Sequence, residues 1–197
     1  MNPPEWALKN SRRLSLEEFQ SQFSGAWSKL TERFLKLECW QSYQELEASE
    51  SQDAYNRGDI PAACALLRQE AKADRPLYED IKERRIDYAR IRLVQEPLTP
   101  YLAYELMAYQ IRATMGENIE VVRFDAATQL PSEECFDFLL FDRHTALIHD
   151  YGAGDVGRQT GGWVTHDADI IASLGDKASA FRHAALPLLH FLADSQR

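Results

Sequence analysis

The chain has 197 residues, of which 45% are hydrophobic and 27% charged, with a formal net charge of −9, a composition typical of a globular protein large enough to bury a core. Nucleic-acid binding depends on clustered lysines and arginines that displace counterions from phosphates, so this acidic balance predicts no direct nucleic-acid partner. No apolar run approaches the roughly 20 residues that cross a bilayer, and the first residues lack a signal-peptide pattern, so we expect no membrane partner and a cytoplasmic location.

The first half of the chain carries mainly helical signals. Ser15 and Glu18 have the spacing of a capping box, which predicts the start of a helix. Apolar residues then recur every three or four positions, which favours a buried helix face, with Gly25 as a break between two helices. An exposed docking surface for a partner is the alternative interpretation of this stripe, whose members are Leu16, Phe19, Phe23, Trp27, Leu30 and Phe34.

Residues 35–49 permit two interpretations, a short strand or a continuing helix, and we favour a helix for the later part. In the turn that follows, Asp59 is typical of a helix cap and Pro61 of a first helical turn. Basic residues between Lys82 and Arg92 alternate with acidic ones, and such mixed charge predicts a solvated helix face rather than a binding surface.

From Arg90 onward the pattern changes from helical to strand-like. Residues 90–94 alternate between polar and apolar, which predicts a strand. A turn with two prolines follows, in which Thr99 is the expected cap of a helix over residues 101–115, and residues 119–124 predict another strand. We interpret this turn as a fixed joint in the architecture.

The rest of the chain predicts a β-hairpin and a final helix. Two apolar runs, residues 135–141 and 146–151, flank a short polar turn, as expected of antiparallel strands. In the loop over residues 152–162, three glycines match the spacing of a dinucleotide-binding loop, but the strand–turn–helix context that such a loop needs is missing. Asp167 is the expected cap of the final helix.

Together these signals predict an α+β fold, in which a mainly helical N-terminal half packs with a small, mostly antiparallel β-sheet and a C-terminal helix. We divide the chain into a helical N-terminal region, residues 1–89, and an α+β sheet domain, residues 90–197, which form one compact unit.

Histidines and carboxylates near the hairpin are the nearest approach to a catalytic or metal site. Turn and cap roles explain most of them, namely Asp142, His144, Asp167 and Asp169. His149 is the exception, because it lies in an otherwise apolar strand. The cysteines have no spacing typical of a zinc site.

We therefore predict no catalytic residues, no metal site and no cofactor. The residues that we expect to form a pocket or an interface are His149, Asp150, His166, Trp163 and Trp27.

Several segments resemble a known family. They are residues 37–45, 90–106, 116–119 and 138–142, of which the run Val-Gln-Glu-Pro-Leu-Thr-Pro-Tyr is the most distinctive. Between Phe34 and Leu189 the order of elements and these motifs resemble an actinobacterial family called domain of unknown function 6879. Residues 138–189 are also similar to the sensing domain that is appended to helix-turn-helix regulators.

The resemblance implies an accessory member of a regulatory system that also contains helix-turn-helix proteins. We predict a non-enzymatic regulatory or sensing module that binds a protein partner, such as a transcriptional regulator, without reading DNA itself. The alternative is a small hydrolase or metal-dependent enzyme that uses His149, His166 and nearby carboxylates. That alternative requires His149, His166 and Asp150 to converge in one solvent-open pocket.

Overall fold

The structure is a computed structural model that describes residues 2–43, 49–125, 127–131, 134–152 and 157–194. Along these residues the elements are α1 (Glu5–Leu8), β1 (Arg12–Ser15), α2 (Leu16–Lys29), β2 (Arg33–Glu38), α3 (Glu50–Asn56), α4 (Ile60–Ala71), a 3-10 turn (Lys72–Asp74), α5 (Arg75–Arg84), β3 (Asp87–Gln95), α6 (Pro100–Thr114), β4 (Ile119–Phe124), β5 (Phe138–Phe141), β6 (Thr145–Asp150), β7 (Gly161–Thr165), α7 (Ala168–Ala184), β8 (Leu186–Pro187) and α8 (Leu188–Asp194).

These eight strands form one mixed sheet in the order β1-β7-β6-β5-β2-β3-β4-β8. Strands β2, β3 and β4 are parallel, and the other pairings are antiparallel. The predicted α+β class, with a mostly antiparallel sheet and a C-terminal helix, is confirmed. Strands β1 and β2 come from the first 89 residues and pair with strands of the second region. The predicted boundary between the two regions stays a prediction.

One face of the sheet packs against α7 and forms the largest apolar core. Because alternate residues of a strand point to the same face, strands β2, β3, β5 and β6 each contribute every second side chain to this core. Burial of each such leucine or isoleucine contributes about 1.5–3 kcal/mol. The core includes Leu35, Leu37, Ile91, Leu93, Leu140 and Ile148 from the strands and Ile170, Ile171, Leu174 and Ala178 from α7.

The opposite face carries two separate apolar clusters. Helix α2 covers the first cluster, to which Phe19, Phe34, Phe141 and Leu147 belong. Helices α6 and α8 cover the second, to which Val94, Leu106 and Phe191 belong. Between the two clusters the central strands carry charged side chains, and there the functional site is found.

The predicted helix starts are confirmed at four positions. The side-chain oxygens of Ser15, Asp59, Thr99 and Asp167 accept hydrogen bonds from first-turn amides of α2, α4, α6 and α7, and Glu18 completes the capping box at Ser15. A cap of this kind stabilises a helix by about 1 kcal/mol, because it satisfies an amide that has no partner within the helix.

The structure corrects or limits two predictions in the first half of the chain. Within residues 35–49 the strand interpretation is correct only for residues 35–38, the end of β2, whereas residues 44–48, within the stretch for which a helix was favoured, lie outside the described residues. The predicted helix break at Gly25 is wrong, because α2 runs without interruption through it. Phe23 and Trp27 pack against the first apolar cluster. This packing outweighs the roughly 1 kcal/mol by which a glycine destabilises a helix.

The turn before α6 is joined to the ends of two strands. The Thr99 hydroxyl donates to the Gln41 carbonyl and also accepts from the Leu102 amide. The Gln41 side chain donates to the Leu93 carbonyl at 2.8 Å and accepts from the Gln95 amide at 2.8 Å. The start of α6 is thereby fixed to the segment after β2 and to the end of β3.

Asp142 ties the turn between β5 and β6 to the start of β2. Its carboxylate accepts hydrogen bonds from the amides of Thr31, Glu32 and Arg33 at 2.8–2.9 Å and from the Thr31 hydroxyl at 3.0 Å. Burial raises the pKa of this carboxyl, but the three amides outweigh burial and hold the pKa below its usual value. Asp142 lies in the hairpin turn as predicted, but its hydrogen bonds are made to the start of β2 and not within the turn.

Replacement of Asp142 by alanine should lower the free energy of unfolding by roughly 2–4 kcal/mol, because three partly buried amides and the Thr31 hydroxyl lose their acceptor. The folded carboxyl has a lowered pKa, so its contribution is present above the ordinary value of 3.8 and is lost as the pH falls below it. The difference between wild type and Asp142→Ala should therefore shrink in acid. Urea denaturation at neutral and acidic pH measures this difference in the free energy of unfolding. Asp176→Ala, a substitution of an exposed residue, is the control. Equal effects of the two substitutions would contradict the assigned role.

Candidate functional site

A cavity of about 890 Å³ lies on the face of the sheet opposite α7. Strands β2, β3 and β6 contribute to its floor, helices α4, α5 and α6 form one side, and α2 contributes to the other. Small-molecule sites have roughly this volume, about 300–1,000 Å³.

The floor of the cavity is polar. Lys36 and Glu38 of β2 lie beside Arg90 and Arg92 of β3 in the parallel register, and His149 of β6 completes the set. The predicted solvated face is wrong for the two arginines, since Arg92 is 1% exposed and the Arg90 side chain 14%. They belong to a central strand that α6 covers.

Arg90 is held between two carboxylates. Its Nη1 donates to Glu38 at 2.9 Å, and its Nε donates to Glu117 at 2.7 Å. Glu38 also pairs with Lys36 at 2.7 Å and accepts from the Tyr109 hydroxyl. Burial raises the pKa of both glutamates, but the charge of Arg90 contributes most to holding each pKa below the usual value. Both therefore stay ionised and fix the floor in place.

Only some of the hydrogen-bond donors of Arg92 have partners. Its Nε donates to Glu105 of α6 at 2.8 Å, and its Nη2 donates to the Trp40 carbonyl. Its Nη1 is buried and has no hydrogen-bond partner among the described residues. A buried guanidinium is thus neutralised by Glu105, while one of its nitrogens has no partner among the described residues.

Three further buried atoms around the cavity also lack a partner. They are Trp40 Nε1 and the two ring nitrogens of His149, whose residues are 9% and 8% exposed. Each unsatisfied buried polar group costs about 1–3 kcal/mol. Among the described residues these atoms and Arg92 Nη1 are the buried side-chain nitrogens and oxygens without a partner, and all four belong to residues that line this cavity.

His149 is uncharged at neutral pH. Burial, helped by the nearby charge of Lys36, lowers the pKa of its imidazole to about 3. Its ring lies against Phe19, with centroids 4.8 Å apart, and stacks on Tyr151 at 5.5 Å. Gln159 lies beside the ring and slightly favours its protonated form, yet neither ring nitrogen has a partner at hydrogen-bonding geometry. A neutral imidazole has one N–H donor and one acceptor.

Asp137 fixes the position of Tyr151. Its carboxylate accepts from the Tyr151 hydroxyl at 2.8 Å and from the Cys39 amide at 2.6 Å. Burial raises the pKa of this carboxyl to about 6, although the charge of Arg92 opposes the rise. At neutral pH Asp137 is thus mainly ionised, and each of its carboxylate oxygens already accepts a hydrogen bond from the protein.

Aromatic rings line one end of the cavity. Tyr151 meets Trp40 edge to face, with centroids 5.1 Å apart, and meets Tyr43 at 5.8 Å. Tyr43 in turn lies 6.0 Å from Tyr101. Gly157 permits close approach to Trp40, since a Cβ atom there would lie 3.0 Å from the indole ring. The third glycine of the dinucleotide-like spacing therefore contacts an indole ring.

The structure places only one of the five predicted site residues in this cavity. His149 lines it, whereas His166 lies in a second cavity of about 400 Å³ beside Asp167. The Asp150 carboxylate pairs with Arg13 at 3.0 Å, and the Arg13 guanidinium lies 5.9 Å from the Trp163 ring.

Trp27, the fifth of these residues, packs against Phe23 and Phe34, with ring centroids 5.9 and 5.2 Å apart. In the strand register His149 is opposite Gly162, so His166 is four residues, or about 13 Å, further along β7. The convergence of His149, His166 and Asp150 that the enzyme alternative requires is not found.

Sequence reasoning missed most of the cavity. The signal lay in two short alternations, Lys36-Leu37-Glu38 and Arg90-Ile91-Arg92, in which charged residues interrupt apolar strands. Alternation shows that the charges share a face, but it does not show that helices cover that face.

The structure also allows a search for metal sites and membrane spans within the described part of the chain. No three His, Cys, Asp or Glu side chains there are grouped so that they could hold a metal ion. None of the helices described combines the length and the apolar character that crossing a bilayer requires.

Comparisons with known proteins identify a family. No curated protein matches the chain. One solved structure that aligns with it is TrmBL2, an archaeal chromatin protein with a novel mode of DNA binding, at 12% identity and a TM-score of 0.41. That alignment covers 90% of this chain and 53% of TrmBL2, so the chain spans about half the length of that structure. The model of the family called Domain of unknown function (DUF6879) matches residues 21–193, and the chain therefore belongs to that family.

Proposed function

We propose that this protein is a non-enzymatic sensing module that binds a small molecule in the cavity between the sheet and α6. The observation that carries the proposal is the set of unpartnered buried nitrogens on Arg92, Trp40 and His149, which all line one cavity. Buried polar groups are normally satisfied, and a ligand that accepts from these groups would remove the cost of leaving them alone.

The titration behaviour of the cavity favours binding over acid–base chemistry. A general base works best when its pKa lies near the working pH, whereas the pKa of His149 is lowered to about 3 by burial. Asp137 has a raised pKa, but its two oxygens already accept from Cys39 and Tyr151. We therefore assign His149 to ligand binding and Asp137 to positioning Tyr151.

We further propose that ligand binding is reported to a protein partner in the cytoplasm, such as a transcriptional regulator. This part rests on the resemblance to accessory proteins of helix-turn-helix regulatory systems and to their sensing domains.

Wild-type protein incubated with a small-molecule extract of its own cells should retain one or a few compounds. After washing and denaturation, mass spectrometry would identify them. The double variant Trp40→Phe, His149→Phe should bind them roughly 10- to 100-fold more weakly, since each lost hydrogen bond to a buried group is worth about 1 kcal/mol or more.

The matched control for the capture experiment is Trp163→Phe, His166→Phe, which changes the same residue types outside the cavity. It should retain the compounds as the wild type does. Enrichment of nothing by the wild type, or equal enrichment by both double variants, would show that the cavity is not the binding site.

His149→Phe alone should raise the free energy of unfolding of the empty protein by about 1 kcal/mol, because it removes two unsatisfied buried nitrogens. The folded pKa of His149 lies below the unfolded value of 6.5, so the unfolded chain binds a proton that the folded protein does not, and the wild type loses stability as the pH falls from 6.5 toward about 3. The advantage of the variant should therefore grow over that range.

Thermal and urea unfolding of the two proteins between neutral and acidic pH measures this advantage. His166→Phe, which removes an exposed ring, is the control. If His149→Phe were less stable than the wild type at every pH, the ring nitrogens would have to be satisfied in the empty protein, and the argument for a ligand would fail.

A further inference from the structure

We propose that the ligand is an uncharged, planar heterocycle with hydrogen-bond acceptors along one edge, the chemistry of a nucleobase, a nucleoside or an aromatic amide. This inference rests on the proposed function, and it identifies the class of molecule that the same cavity selects.

The charges around the cavity argue against an anion. Among the described residues four cations line it, namely Lys36, Arg90, Arg92 and Arg112, and each of them is within 3.0 Å of a carboxylate. Five acidic residues line it as well, namely Glu38, Glu70, Asp74, Glu105 and Asp137. A phosphate or carboxylate entering here would find no uncompensated positive charge, and the cost of removing it from water would not be recovered.

The unpartnered atoms define the edge that the ligand must present. Arg92 Nη1 and Trp40 Nε1 are donors only, so both require an acceptor. Neutral His149 offers one donor and one acceptor. Carbonyl oxygens and ring nitrogens accept such hydrogen bonds without carrying a charge, and an amide or imide N–H can meet the acceptor of His149.

The shape of the lining favours a flat molecule. The rings of Trp40, Tyr43, Tyr101 and Tyr151 line one end of the cavity, and Asp137 fixes Tyr151. Aromatic rings pack best with other rings, in stacked or edge-to-face arrangements. A flat heterocycle can contact these rings while its acceptor edge reaches Arg92 and Trp40.

Two pairs of probes that differ only in charge test the inference. They are nicotinamide against nicotinate, and uridine against uridine 5′-monophosphate. In ¹H–¹⁵N spectra of the full chain, the indole N–H resonance of Trp40, assigned by its loss in Trp40→Phe, reports binding directly. The uncharged member of at least one pair should shift this resonance to saturation, and its charged counterpart should bind at least about 10-fold more weakly, a difference of about 1.4 kcal/mol.

The Trp163 indole resonance is the internal control and should stay unchanged. Tighter binding of the charged members would overturn the proposed class and would leave the proposed function intact. A Trp40 resonance that no probe shifts would also overturn the class, while the capture experiment decides separately whether the cavity holds any ligand. His149→Phe, which does not remove the reporter, should weaken binding of the uncharged probe by roughly 10-fold.

Discussion

The pairing of Arg90 with Glu38 and Glu117 is the interaction on which the site depends. Charged side chains in the middle of a sheet are tolerated only when each has a partner, because a single buried charge left alone costs several kcal/mol. Here β2, β3 and the segment before β4 supply the three partners. Their mutual neutralisation allows a polar floor to exist between two apolar clusters.

Under the proposed function, that floor would set stability against binding. The charges that satisfy each other hold the strands in place, while the nitrogens left over at Arg92, Trp40 and His149 weaken the empty fold. Groups of this kind are kept in proteins when a ligand needs them, since activity often requires an arrangement that is less stable than it could be. The three residues come from three separate chain segments, so the cavity is a product of the whole sheet.

The sequence was informative where the signals are local. Caps at Ser15, Thr99 and Asp167 depend on contacts within four residues, and they were predicted correctly. The cavity depends on the parallel pairing of β2 with β3. A helical crossover of several dozen residues separates these two strands in the sequence. Two-residue alternation cannot reveal that pairing or show which face a helix covers. His149 was noticed because a polar residue interrupted an apolar strand, but its true neighbours are distant in sequence.

The joint at Gln41 and Thr99 has a consequence for how binding is communicated. Since hydrogen bonds to Gln41 already fix the start of α6, this wall of the cavity is ordered before any ligand arrives. A ligand that meets it avoids the roughly 0.5–1.5 kcal/mol of entropy lost for each side chain that must be immobilised on binding. A rigid wall, however, cannot change its conformation when a ligand binds. Under the proposed function, a conformational response to the ligand would therefore have to arise at another boundary of the cavity, such as the one that Leu16 and Gln20 of α2 line.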